Sequence, residues 1–261
     1  MHTTPSFIVV GIFLLGGVSY SAESALPGDF LYPVKIYANE KTKGFIAVTD
    51  KMEAGFMVKS ADHRLLEVEK LAEKNKLTKE ALADLQNRFY ENIKNFKEIS
   101  QKMEEKDQKK ASLVRSDMES VLDAHRELLK KKTGTNNASY GDNLKNLLVN
   151  MDKEFKNISE KRRFSEEKAV EGNATDAKSG EEDALRAAEK KIAEMQKILN
   201  SENGARGDVA GAKEKLKEAV AHLAEGKAKL DIPAYEDAFA LFRRAEREAV
   251  SAKLIFNGTK Q

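Results

Sequence analysis

From Phe45 onward the chain keeps one spacing: an apolar residue, then another three or four positions later, with lysine and glutamate filling most of the places between. That period lays the apolar side chains along one stripe of a helix. A strand, whose side chains change face at every residue, cannot use it. The first stripe reads Phe45, Val48, Met52, Val58, Ala61, Leu65, Val68 and Ala72, and a second reads Leu82, Leu85, Phe89, Ile93, Phe96 and Met103. A third carries Ala111, Val114, Met118, Val121, His125 and Leu128, and a fourth Leu144, Leu147, Met151, Phe155 and Ile158. Each stripe covers a minority of its helix, so each needs neighbours to be buried. The fold class is therefore all-α, with long antiparallel helices in a bundle and coiled-coil-like packing. Only 4 prolines interrupt the 261 residues.

Turn residues mark the joints. Asn75 and Lys76 end the first long segment, and Thr78 is placed to cap the second helix. A break falls near Lys106 and Asp107. The stretch TGTNNASYG, Thr133–Gly141, reads as a loop, with Asp142 capping the helix after it. Glu171–Gly180, EGNATDAKSG, has no apolar anchor beyond alanine and reads as a domain boundary. Three further stripes follow: Leu185 to Leu199, Val209 to Leu230, and Tyr235 to Ala249 with Pro233 at its start. Small residues on the last two helices would let them approach closely. They have the flavour of a tetratricopeptide pair, but no repeat of about 34 residues occurs elsewhere. The expected organisation is a leading segment over 1–22, a helical bundle domain over 23–171, a linker over 172–181 and a three-helix domain over 182–261.

The leading segment is the strongly apolar one. Phe7–Val18, FIVVGIFLLGGV, runs twelve residues without a charge. That suits the core of a signal peptide better than a spanning helix, which needs about 20 apolar residues. Ser19 and Ser21 supply the small residues of a cleavage site after Ser21, and Ala22 and Ser24 offer a second frame. Against this, MHTTPS carries no lysine or arginine where a signal peptide is normally positive. Cleaved signal and uncleaved anchor both remain open. Beyond it, Asp29 is placed to cap a helix opening at Phe30 and running to about Thr42, with Pro33 in its first turn.

Chemistry-bearing patterns are sparse. The chain has no cysteine, which excludes disulfides and thiol catalysis. Lys+Arg 45 against Asp+Glu 43 lacks the basic excess of a nucleic-acid binder. His63 lies beside Asp62 and four residues before Glu67, a weak divalent-ion pattern that reads better as a solvated salt-bridge face. His125 falls on an apolar stripe and reads as a core histidine. The runs Lys130-Lys131-Lys132 and Lys161-Arg162-Arg163 read as the cationic ends of helices. No E-x-x-H pair, nucleophile elbow or phosphate-cradling glycine loop occurs. The expectation is no enzyme, no cofactor, no metal, no nucleic acid and no small-molecule substrate.

Ala22–Lys41, AESALPGDFLYPVKIYANEK, resembles the start of the bacterial domain-of-unknown-function family 5667. Members typically show an apolar export segment, an LPGD-x-LYPVK-like motif, and then a helix ending in an A-x-x-RL-x-E-x-x-x-L stretch. Here the motif residues are Leu26, Pro27, Gly28, Asp29, Leu31, Tyr32, Pro33 and Lys35, and the later stretch is Ala61–Leu71. The resemblance covers roughly Ala22 to Leu129. It implies an exported or membrane-associated helical protein and brings no catalytic residues with it. The motif is read either as a docking peptide for an envelope partner or as a staple folded back on the first helices.

The function expected from sequence is that of an extracytoplasmic, membrane-anchored or secreted helical protein acting by protein–protein contact at the cell envelope. The membrane would be met through the leading segment if that is uncleaved. The alternative is a metal or stress sensor, or a chaperone-like helical hairpin protein.

Overall fold

The computed structural model of the chain describes residues 25–36, 49–133, 141–170, 174–201, 208–230 and 235–258. The apolar segment, its cleavage frames, Phe45, Val48 and Pro233 lie outside these. The elements are a single turn α1 (Tyr32–Val34), then α2 (Asp50–Glu73), α3 (Lys79–Lys106), α4 (Gln108–Thr133), α5 (Gly141–Val170), α6 (Ala174–Ser201), α7 (Val209–Lys229) and α8 (Tyr235–Gly258). Among the described residues there is no strand, and no helix is long and apolar enough to cross a membrane.

The helix limits follow local chemistry. Thr49 Oγ1 accepts the Met52 N–H at 3.2 Å and opens α2, and Thr78 Oγ1 does the same for Ala81 at 3.1 Å in α3. Asn75, with φ of 52°, carries the left-handed turn that ends α2. Asp107 alone separates α3 from α4, and its carboxylate accepts the Lys110 N–H at 2.9 Å. The expected linker is helical from Ala174, where alanine, lysine and glutamate outweigh the cost of Gly180. Two readings are corrected. Asp142 lies inside α5, which begins at Gly141. Lys161–Arg163 does not close a helix: α5 runs on to Val170, and Arg162 is buried within it.

Ion pairs and hydrogen bonds give the helix directions. Lys106 meets Asp50 at 2.8 Å, so α3 runs against α2. Lys132 reaches Glu73 at 2.6 Å, so α4 runs along α2. Arg126 meets Asp152 at 2.5 Å while Arg115 Nη1 donates to the Lys161 carbonyl at 3.1 Å, so α5 runs against α4. This is an up-down-up-down bundle around the leucines, phenylalanines and methionines of the first four stripes. Arg115 is its buried polar tie: it donates to Ser165 Oγ at 2.6 Å and to the Ser100 carbonyl at 3.3 Å, and pairs with Glu104 at 2.5 Å.

α4 has two apolar faces. Val121, Leu122 and Leu129 enter the first core, whereas Ala124 and Leu128 enter a second one built from α6, α7 and α8. The helix is thus shared by two four-helix cores. Two stripe residues fall outside them: Met52 is 49% exposed and Leu230 39%.

Gly226 sets the close packing of α7 on α8. A β-carbon there would stand 2.6 Å and 2.8 Å from ring carbons of the fully buried Phe242. Gly226→Val is expected to destabilise the protein by about 1–3 kcal/mol through overpacking. Gly55→Ala in α2, where nothing lies within 4 Å of the new methyl, is expected to stabilise it by up to about 1 kcal/mol. Thermal melts of the two variants should move in opposite directions.

Candidate functional site: a buried latch on α2

The motif residues divide into an exposed turn and a buried grip. Leu26 O accepts the Asp29 N–H at 2.9 Å, with Pro27 and Gly28 between them. Gly28 has φ of 97°, which together with Pro27 makes a type II turn. Asp29 does not cap a helix: its Oδ2 accepts the Leu26 N–H at 2.8 Å and clasps the turn. Leu31 takes the N-cap position of α1 without a side-chain bond, and Pro33 sits in the first turn as its fixed φ allows. Gly28, Asp29 and Pro33 are exposed, Pro27 and Leu31 half-buried, and Leu26, Tyr32 and Lys35 buried. Phe30, between them, is 95% exposed.

The buried residues grip α2. Lys35 Nζ donates to Glu67 Oε1 at 2.5 Å and to the Ala25 carbonyl at 3.1 Å. Arg64 Nη1 donates to Tyr32 Oη at 2.9 Å and lies 2.9 Å from Glu67 Oε2. Tyr32 Oη in turn donates to Glu67 Oε2 at 3.4 Å. Burial, reinforced by Glu67, pushes the Tyr32 phenol well above its usual range. Arg64 and Glu67 are the R and E of the A-x-x-RL-x-E stretch, so the two sequence signatures meet each other in space. Each charged head finds its partner inside the group, which suits holding a segment in place.

At the same level of α2 but on another face, a second buried group ties it to α4. His125 Nδ1 lies 2.7 Å from Glu69 Oε1, and Nε2 lies 2.8 Å from Asp62 Oδ1. Burial alone would lower the imidazole pKa, but the two carboxylates override it and raise it to about 10. His125 is therefore a buried imidazolium, not an apolar core histidine. Burial pushes Glu69 up. Burial is the strongest single influence on Asp62 and opposes its ionisation, but the His125 hydrogen bond, the His125 charge and His63 together outweigh it and hold that carboxyl low. The carboxylates near His63 are thus engaged elsewhere, Asp62 by His125 and Glu67 by the latch. Among the described residues no group of three or more such side chains is placed to hold a metal ion.

Sequence reasoning missed Arg64, Glu67, Glu69 and Arg115 as buried charges. The available signal was their phase: Arg64 lies three residues after Ala61 and four before Val68, and Arg115 four after Ala111 and three before Met118, all on core stripes.

These features define an all-α bundle whose first described segment is locked to its second helix by buried charge pairs. Over residues 24–154, just over half of its length, the chain matches the model of a domain of unknown function (DUF5667), and it belongs to that family. The match covers the latch, the His125 centre and α2 to α4, and ends within α5. Neither curated proteins nor solved structures gave a match.

Proposed function

We propose that this is an exported, non-enzymatic helical protein of the bacterial cell envelope, acting by protein–protein contact. In this reading Phe7–Val18 directs the chain to or through the membrane, and the latch joins whatever follows that segment rigidly to the bundle. The latch carries the proposal. A chain that needed only a flexible tether would have no use for burying Lys35, soon after its apolar leader, against an arginine and a glutamate of α2. Phe30, displayed on the turn beside the latch, gives the same face an aromatic contact suited to an interface. The test is to express the full chain, fractionate the cells and determine the mature amino terminus. Cleavage near Ser21 with release, or retention in the membrane with Phe7–Val18 intact, supports the reading. An uncleaved chain in the cytosol overturns it.

A further inference from the structure

Beyond the latch, a cleft of about 800 Å³ opens where α5 and α8 diverge over α4, with α7 closing one side. Its lining holds equal numbers of acidic and basic side chains together with His222. On the outer wall these satisfy one another. Lys215 lies 3.0 Å from Asp123 and 3.1 Å from Glu218. Glu248 lies 2.7 Å from His222 and 3.2 Å from Arg244.

The inner wall is different. Arg162 hydrogen-bonds both Glu119 and Glu166. Arg247 faces the same two carboxylates but stands off at 3.7 Å and 3.9 Å, too far to bond. As a result Arg247 Nη1 and Glu166 Oε1 are buried without a hydrogen-bond partner among the described residues, and so is the Oγ of Ser159 in the same lining. Ser159 is 9% exposed and Glu166 6%. Buried orphans of this kind are costly and uncommon. Burial, and then the adjacent Arg162, lower the Arg247 pKa to about 10, as expected of a cation short of bonded carboxylate.

We infer that this cleft binds a free α-amino acid, its carboxylate received by Arg247 and Ser159 and its ammonium by Glu166. The unsatisfied donor and acceptor stand side by side, so they ask for a ligand with acceptor and donor equally close. An α-amino acid carries both on one carbon. A bare anion would meet Glu166, and a bare cation would meet Arg247, while the balanced lining favours neither sign. The volume leaves room for a side chain on that carbon. Ser159, Arg162 and Glu166 lie beyond the family match, so the site belongs to this chain's extension of the domain.

The test is calorimetric titration of the full chain with alanine, with its N-acetyl and C-amide forms, and with inorganic phosphate. Saturable binding of alanine is expected, weakened at least tenfold by capping either end and by Arg247→Gln or Glu166→Gln. The capped ligands keep the test decisive should either variant fail to fold. No saturable binding of alanine, equal binding of the capped forms, or binding of phosphate alone overturns the inference.

Discussion

Glu67→Ala is expected to lower the stability of the protein by about 3–5 kcal/mol, the range for removing one partner of a buried ion pair. Glu67 is 2% exposed and accepts from Lys35 and Tyr32 while pairing with Arg64. Its loss leaves two buried cations facing a methyl group. Lys35 can then escape only by pulling α1 and the Leu26–Asp29 turn off α2, so the damage concentrates in residues 25–36. Relieving the charge restores the fold: Lys35→Met combined with Glu67→Gln, which keeps an acceptor for Tyr32 and Arg64, is expected to recover more than half of the loss. Urea unfolding of the two variants against the parent measures both numbers. Equal stability of Glu67→Ala and the parent would show that the latch holds nothing.

Raising the pH from about 6.5 to 10 is expected to remove roughly 3–5 kcal/mol of stability through His125. Its folded pKa of about 10 lies above the unfolded value of about 6.5. The contribution is therefore fully present below pH 6.5 and is lost as the pH rises through the folded value. The charged groups facing the ring are Glu69 and Asp62 of α2, with Lys132 acting on Glu69 and His63 on Asp62. Deprotonation would leave Glu69, 1% exposed, as a buried carboxylate without a cation at 2.7 Å. His125→Gln with Glu69→Gln replaces the pair by neutral amides, and the slope between pH 6.5 and 10 should flatten. The comparison with the parent at each pH cancels the lysines and tyrosines that titrate nearby. An unchanged slope in the double variant would contradict the assignment.

The periodicity exposed the helices because their apolar stripes are long and nearly free of proline. Thr78 and the break at Asp107 were legible for local reasons, a capping hydroxyl and an interrupted stripe. What the stripes hid is the use of charge inside them. Arg64, Glu69, Arg115 and Arg162 occupy core phases, but a single residue carries no signal about which distant residue will neutralise it. The partners lie 32 positions away for Tyr32 and Arg64, and 56 for Glu69 and His125. The second apolar face of α4 was hidden likewise, since Leu128 reads as part of the single stripe and Ala124 falls outside it until α8 packs over them. Asp29 shows the limit of capping rules: a proline–glycine turn just before it turned its carboxylate back to Leu26.

Hydrogen–deuterium exchange over residues 25–36, followed in the parent and in Glu67→Ala, tests the latch most directly. In the parent, the amides of Asp29, Tyr32 and Lys35, which donate to Leu26, Asp29 and Leu31 carbonyls, should be protected well above the level of an unstructured peptide. In Glu67→Ala that protection should vanish while α7 and α8 keep theirs. Free exchange of these amides in the parent, at the rate of an open chain, would contradict the account.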